Sequence, residues 1–205
     1  MGRNKVILVD ADVISHFMAT TTIWMNDTHL VDADVISHFM ATGYIDRLTE
    51  ILQPHAVMIV ENVYKEASYH PTEPDRKRKV DKWMEHCKVC KIAFPYANEN
   101  IRREFFRLKK ENPMLGDGER ACMSMARFGQ EVIASSNFRD VAPYCDENGI
   151  EYIGTLDVLT IAMNKGIFTS DECNRFMAEA KAKNKAKFPV DDITVYQAPE
   201  YISTF

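Results

Sequence analysis

Apolar positions along the chain follow two rhythms. Short runs of four or five predict strands, and longer stretches with apolar residues every three or four positions predict amphipathic helices. Two stretches compete for the first strand, because residues 9–20 recur letter for letter as residues 31–42. Solenoid repeats diverge and need three or more copies to bury a core, so two identical copies read as a segmental duplication. Lys5-Val6-Ile7-Leu8-Val9, before the first copy, is the better strand and suits burial on both faces. The second copy runs straight into residues 43–52, with apolar positions at 44, 45, 48, 51 and 52. It is the expected occupant of the central strand, since the first copy would force a long insertion where connections usually run to about 2–6 residues.

Strands and helices then alternate. Residues 57–60 read as a strand, and a helix through Val63 and Ala67 is ended by Pro71 and Pro74. Residues 75–86 are helical, 88–92 alternate like a strand, and 98–111 form a charged helix closed by Asn112-Pro113. After Gly116-Asp117-Gly118 come a helix over 119–128, a strand at 131–134, a helix over 141–148 stopped by Gly149, and a strand at 150–153. Thr155 or Asp157 opens a helix ending at Gly166, and Thr169 with Glu172 makes a capping box for a helix to about residue 183. Residues 193–196 suit an edge strand. Such alternation predicts an α/β fold whose parallel sheet is covered by helices on both faces. Residues 29–187 are the expected folded unit, with 1–28 an N-terminal appendage and 188–205 a tail.

Composition changes this picture little. A chain of 205 residues with 46% hydrophobic content fits one globular domain. No apolar run is long enough for a spanning helix, and the short apolar stretch before Asp10 is no secretory signal, so a cytoplasmic protein is expected. Five scattered cysteines argue against a disulfide framework. Cys87 and Cys90, with His86, have no second pair at zinc-site spacing and read as buried strand residues. At a net charge of −5, nucleic-acid contact requires a local basic patch. Arg76-Lys77-Arg78-Lys79 is one candidate, and Arg102-Arg103 with Arg107 and Lys109-Lys110 is another; each also reads as a solvated helix face.

Chemistry concentrates where strands give way to helices, the edge at which ligands gather in parallel sheets. Asp32, or its twin Asp10, follows an apolar strand, with Asp34 (or Asp12) placed to cap the next helix. Glu66 lies on the helix after the second strand, and Glu119 follows Gly116-Asp117-Gly118. Ile133-Ala134-Ser135-Ser136-Asn137 precedes Asp140, and Gly149-Ile150-Glu151-Tyr152-Ile153-Gly154-Thr155 precedes Asp157. Taken singly, each carboxylate reads as a cap or a solvated side chain.

Together and in this order, these motifs resemble the PIN-domain family, over roughly residues 29–180. The resemblance implies a three-layer α/β/α PIN-like fold with a central parallel sheet, and metal-site roles for Asp32, Glu66 and Glu119. Where the family usually carries its fourth acidic ligand this chain has Ser136 and Asn137, weaker ligands for a hard cation. Asp140 stands a helical turn beyond Ser136, where it would reach the site directly or through water. The expected catalytic set is thus Asp32, Glu66, Glu119 and Asp140, with Asn137 added to the metal ligands and Mg²⁺ or Mn²⁺ as cofactor.

The resemblance further implies an endoribonuclease acting on single-stranded RNA. The toxin-like members it points to work in toxin–antitoxin pairs, with an antitoxin protein as partner and a homodimer as the assembly. The alternative is a catalytically silent binding protein that keeps RNA or protein recognition. No Gly-x-x-x-x-Gly-Lys-Ser/Thr or Gly-x-Gly-x-x-Gly motif supports a nucleotide-binding module.

Overall fold

The computed structural model of the chain describes residues 28–129 and 131–204. Five strands form one sheet: β1 (Thr28–Val31), β2 (Ala56–Val60), β3 (Cys90–Ile92), β4 (Val132–Ala134) and β5 (Tyr152–Ile153). Their order is β3-β2-β1-β4-β5, and every pairing is parallel. The helices are α1 (Ala33–Thr42), α2 (Ile45–Leu52), α3 (Glu61–Ala67), α4 (Arg76–Cys87), α5 (Glu99–Glu111), α6 (Asp117–Ala126), α7 (Phe138–Asn148), α8 (Thr155–Asn164) and α9 (Ser170–Asn184). This is the expected three-layer α/β/α architecture.

Burial explains the central strands. All four residues of β1 are buried, as are the last four of β2 and all three of β4, which is why β2 and β4 read as continuous apolar runs and not as alternating ones, while β1 buries Thr28 and His29 beside Leu30 and Val31. Helix α1 buries Val35, Ile36 and Phe39. It stops at Gly43, whose φ of 77° is the left-handed conformation that glycine adopts at little cost. Helix α1 and Val31, the last residue of β1, come from the second copy of the duplicated segment, and Thr28, His29 and Leu30 precede it. The first copy, with its strand candidate at 5–9 and its Asp10 and Asp12, lies outside the described residues.

The order of the strands creates the functional edge. The chain lays down β1, β2 and β3 successively toward one side, then returns to place β4 on the other side of β1. Connections therefore leave the carboxyl ends of β1 and β4 in opposite directions, which opens a crevice between them. Asp32 follows β1 and Ser135-Ser136-Asn137 follow β4, so both segments border that crevice.

Several expected boundaries move. Helix α6 begins at Asp117 rather than Glu119, because Gly116 is its N-cap and the Glu119 carboxylate reaches back to the Gly116 N–H at 3.0 Å. Helix α7 begins at Phe138 rather than Val141, which puts Asp140 in its first turn. The expected edge strand at 193–196 is instead a 3₁₀ turn, Ile193–Val195. Its backbone N–H groups are taken by side chains: Ile193 N donates to Asn174 Oδ1 at 2.7 Å and Thr194 N to Asp192 Oδ1 at 2.9 Å. With those donors occupied and Ile193 sunk into the core, the segment has no ladder to offer a sheet.

Candidate functional site

Three carboxylates converge at the crevice. One oxygen from each of Asp32, Asp34 and Glu119 lies within 4.8 Å of the others. Asp32 is 2% exposed. It is also the N-cap of α1, with extended backbone, but its side chain caps nothing. Instead Oδ2 accepts a hydrogen bond from Ser135 Oγ at 3.1 Å across the β1–β4 boundary. Its Oδ1 is buried with no hydrogen-bond partner among the described residues. Burial, then the charges of Glu119 and Asp34, push the Asp32 carboxyl well above the usual carboxylate range.

Glu119 is held by two donors, the Gly116 N–H on Oε2 and the Asn137 side-chain amide on Oε1 at 2.7 Å. Burial raises its pKa, and the Asn137 bond opposes the rise. Glu66, exposed at the surface of α3, accepts from the Gly118 N–H at 2.9 Å, and partial desolvation lifts its pKa. A methyl group built on Gly118 would lie 2.5 Å from Glu66 Oε2 and 3.1 Å from Val63, so the glycine makes room for the carboxylate. Beneath them the buried thiol of Cys122 is raised by desolvation and by the charges of Asp32, Glu66 and Glu119.

The expected residues therefore assemble with different parts. Asp32 and Glu119 belong to the group of converging oxygens, while Glu66 and Asp140 stand outside it. Asn137 does not turn its oxygen to the carboxylates. Its amide nitrogen donates to Glu119 and, at 3.1 Å, to Asp140 Oδ2, so it ties two acidic residues together. The other Asp140 oxygen accepts from Asn112 Nδ2 at 3.2 Å. Ser136 joins Thr155 Oγ1 at 2.6 Å, and Thr155 continues to His38 Nδ1 at 2.9 Å.

The sequence reading gave Asp34 only a capping role. Because Asp32 already occupies the cap position, Asp34 falls in the first helical turn and presents an exposed carboxylate to the group. The usable signal was the Asp-Ala-Asp spacing across a strand–helix junction. Cys87 and Cys90 are free thiols and no part of the group.

The arrangement suits a hard cation. Asp32, Asp34 and Glu119 offer carboxylate oxygens, the donors preferred by Mg²⁺, Mn²⁺ and Ca²⁺. Their mutual repulsion and the unsatisfied Asp32 Oδ1 are what a cation would relieve. No single helix carries the site: the β1–α1 junction, α1, α3, α6 and α7 each bring a residue to it.

The two basic clusters are largely neutralised by carboxylates on or near their own helices. On α4, Lys77 pairs with Asp81, Arg78 with Asp75, and Lys79 with Glu73 and Asp75. Arg76 is buried, donating to the Ala67 carbonyl and Ser37 Oγ. On α5, Arg103 pairs with Glu99, Arg107 with Glu104 and Glu111, and Lys109 with Asp117.

Compared with known families, residues 28–186 match a family model described as a PIN domain. No curated protein and no solved structure matches the chain.

Proposed function

Since the chain belongs to the PIN-domain family, a family of nuclease type, we propose that it is a metal-dependent endoribonuclease that hydrolyses phosphodiester bonds of single-stranded RNA. The observation that carries this reading is the convergence of Asp32, Asp34 and Glu119 within 4.8 Å around a buried, unsatisfied carboxylate oxygen. Asp32, Asp34 and Glu119 are the residues that would hold the ion. A bound Mg²⁺ or Mn²⁺ supplies Lewis-acid polarisation of a phosphate and a lowered pKa for bound water.

The protein's own contribution is preorganisation. Ser135 fixes one oxygen of Asp32 and leaves the other for the ligand. Gly116 and Asn137 fix the two oxygens of Glu119, and Gly118 fixes Glu66 beside them. Asn137 and Asn112 hold Asp140 at the rim, where its charge adds to the field at the site without joining the converging oxygens. These contacts set the carboxylates in place before substrate arrives, so little reorganisation remains at the moment of reaction. The neutral Asn137 keeps the fourth position polar and makes Glu119 dependent on it.

A toxin role, with an antitoxin protein as the inhibitory partner and a homodimer as the assembly, extends this reading. It is supported by the likeness of residues 133–159 to toxin-like PIN sequences. The catalytically silent alternative rests on Ser136, whose hydroxyl is engaged with Thr155 and not with the carboxylates.

Cleavage of a mixed-sequence single-stranded RNA with Mn²⁺, with Mg²⁺ and with EDTA, beside a Glu119→Gln control, decides between them. Metal-dependent cleavage lost in the control is the expected result. Absence of cleavage with either ion, in protein that still binds the RNA, would establish the silent reading instead.

A further inference from the structure

Beside the carboxylates lies a cavity of about 450 Å³ lined by aromatic, cationic and hydroxyl side chains. We propose that this cavity is the base-binding subsite of the nuclease, taking one unpaired RNA nucleobase while its flanking phosphate rests against Arg139 and Lys187. The inference builds on the reading of the site as an RNA-cleaving centre and specifies how the substrate is gripped.

Position is the first argument. Asn137 is shared: its amide holds Glu119 on one side, and the residue lines the cavity on the other. A chain running through the crevice would thus place a nucleoside next to the phosphate that meets the carboxylates. The volume lies within the usual range of about 300–1,000 Å³ for small-ligand sites.

The walls are the second argument, because they are built and held from behind. Phe138 remains 41% exposed yet is fixed in place. Its ring meets Tyr152 edge-on at 5.8 Å and occupies the space over Gly154, where an added methyl would lie 2.3 Å from two ring carbons. Gly154 has an ordinary extended backbone, so this residue is a glycine to admit the ring and not to relieve a strained turn. Phe188 is braced by His38 at 5.6 Å, and the Tyr196 hydroxyl donates to Asp157 at 2.8 Å. The linked hydroxyls of Ser136 and Thr155 supply a polar edge.

Charge is the third. Arg139 and Lys187 are exposed and form no ion pair among the described residues, whereas most cations of α4 and α5 are paired with nearby carboxylates. Free cations flanking one exposed ring, Phe138, and two partly buried ones, Phe188 and Tyr196, are the combination that grips single-stranded nucleic acid, with bases stacked on rings and phosphates on the charges. An apolar peptide tail would leave the two unpaired cations unused.

The test is fluorescence anisotropy in EDTA, where no cleavage intervenes, using a short labelled single-stranded RNA and the same oligomer made abasic. Both carry the same phosphates, so repulsion from the carboxylates cancels. Wild-type protein should bind the base-bearing RNA about tenfold more tightly. Phe138→Leu should abolish that preference, and Lys187→Ala should weaken both oligomers alike and flatten the salt dependence. Thermal melting confirms that each variant is folded, and both altered side chains are exposed. Equal binding of the two oligomers by wild type, or an undiminished preference in Phe138→Leu, would overturn the proposal. If cleavage proceeds while that preference is missing, the subsite fails and the nuclease reading stands. If the preference is present without cleavage, the subsite stands and the catalytic reading fails.

Discussion

At the scale of single residues, the site depends on which carboxylates share one small volume. Asp34 belongs to that volume, and Asp140, despite its charge, is held at the edge by two amides. Asp34→Asn should therefore weaken Mn²⁺ binding by roughly tenfold or more, as expected when one anionic ligand is neutralised. Asp140→Asn should weaken it less, and isothermal titration of both variants checks the ranking. A different residue contributes to the acid response of the fold. Burial, aided by the neighbouring charges of His55 and Lys165, pushes the His29 imidazole from 6.5 down to about 3. Between those values the unfolded chain takes up a proton that the folded chain refuses, so stability is full above pH 6.5 and falls as the pH drops. The loss from this group approaches about 1.4 kcal/mol per pH unit in the middle of the window. Asp32 has the opposite sign, because its raised pKa favours the folded state at low pH. Urea unfolding of wild type and His29→Ile at pH 7.5, 6 and 5 cancels that shared contribution. The stability difference between them should shift in favour of the variant as the solution is acidified.

At the scale of elements, helix starts carry the chemistry. Helices α1, α6 and α7 each begin at the crevice, and each brings acidic residues in its first turn. The alternation of apolar runs made the sheet and most helices legible, since two-sided burial leaves an unmistakable sequence pattern. Glu119 was legible as well, because Gly-Asp-Gly-Glu marks a tight helix start. Less legible was everything decided by a side chain choosing between partners. Asn137 could accept a cation or donate to carboxylates, and only the positions of Glu119 and Asp140 settle that it donates. The segment at 193–195 has strand-like composition, but Asn174 and Asp192 capture its N–H groups. The basic clusters looked like nucleic-acid patches because a list of cations does not display the acidic residues one turn away. Gly118 gives the most direct test of this scale. Gly118→Ala should displace Glu66 and lower metal-dependent cleavage at least tenfold. Because the added methyl at this buried position meets chiefly the movable end of Glu66, it should lower the melting temperature by only a few degrees, and circular dichroism beside the cleavage assay separates the two effects.

At the scale of the whole molecule, five segments from across the described chain meet at one site, so ligand binding and folding are linked. A cation that binds only the folded state adds about 2.7 kcal/mol of stability at a hundredfold excess over its Kd. For a domain of this size that corresponds to a rise in melting temperature of about 5–11 °C. Thermal melts with and without Mn²⁺ should show that rise in the wild type, its reversal by EDTA, and little of it in Glu119→Gln. The size of the shift also reports which copy of the duplicated segment serves the site. Asp32→Asn should remove the shift, and Asp10→Asn should leave it intact.

The use of the second copy for β1 has a genetic consequence. Identical copies can recombine, and losing residues 9–30 would join Leu8 directly to Val31 without disturbing Asp32 or anything after it. Val6, Ile7 and Leu8 would then stand where Thr28, His29 and Leu30 now pair with β2 and β4. The buried imidazole would be exchanged for isoleucine by a single contraction event, and the resulting shorter protein should be the more acid-resistant of the two. The sensitivity assigned above to His29 is, on this view, not a property of the nuclease fold but a scar left by the duplication.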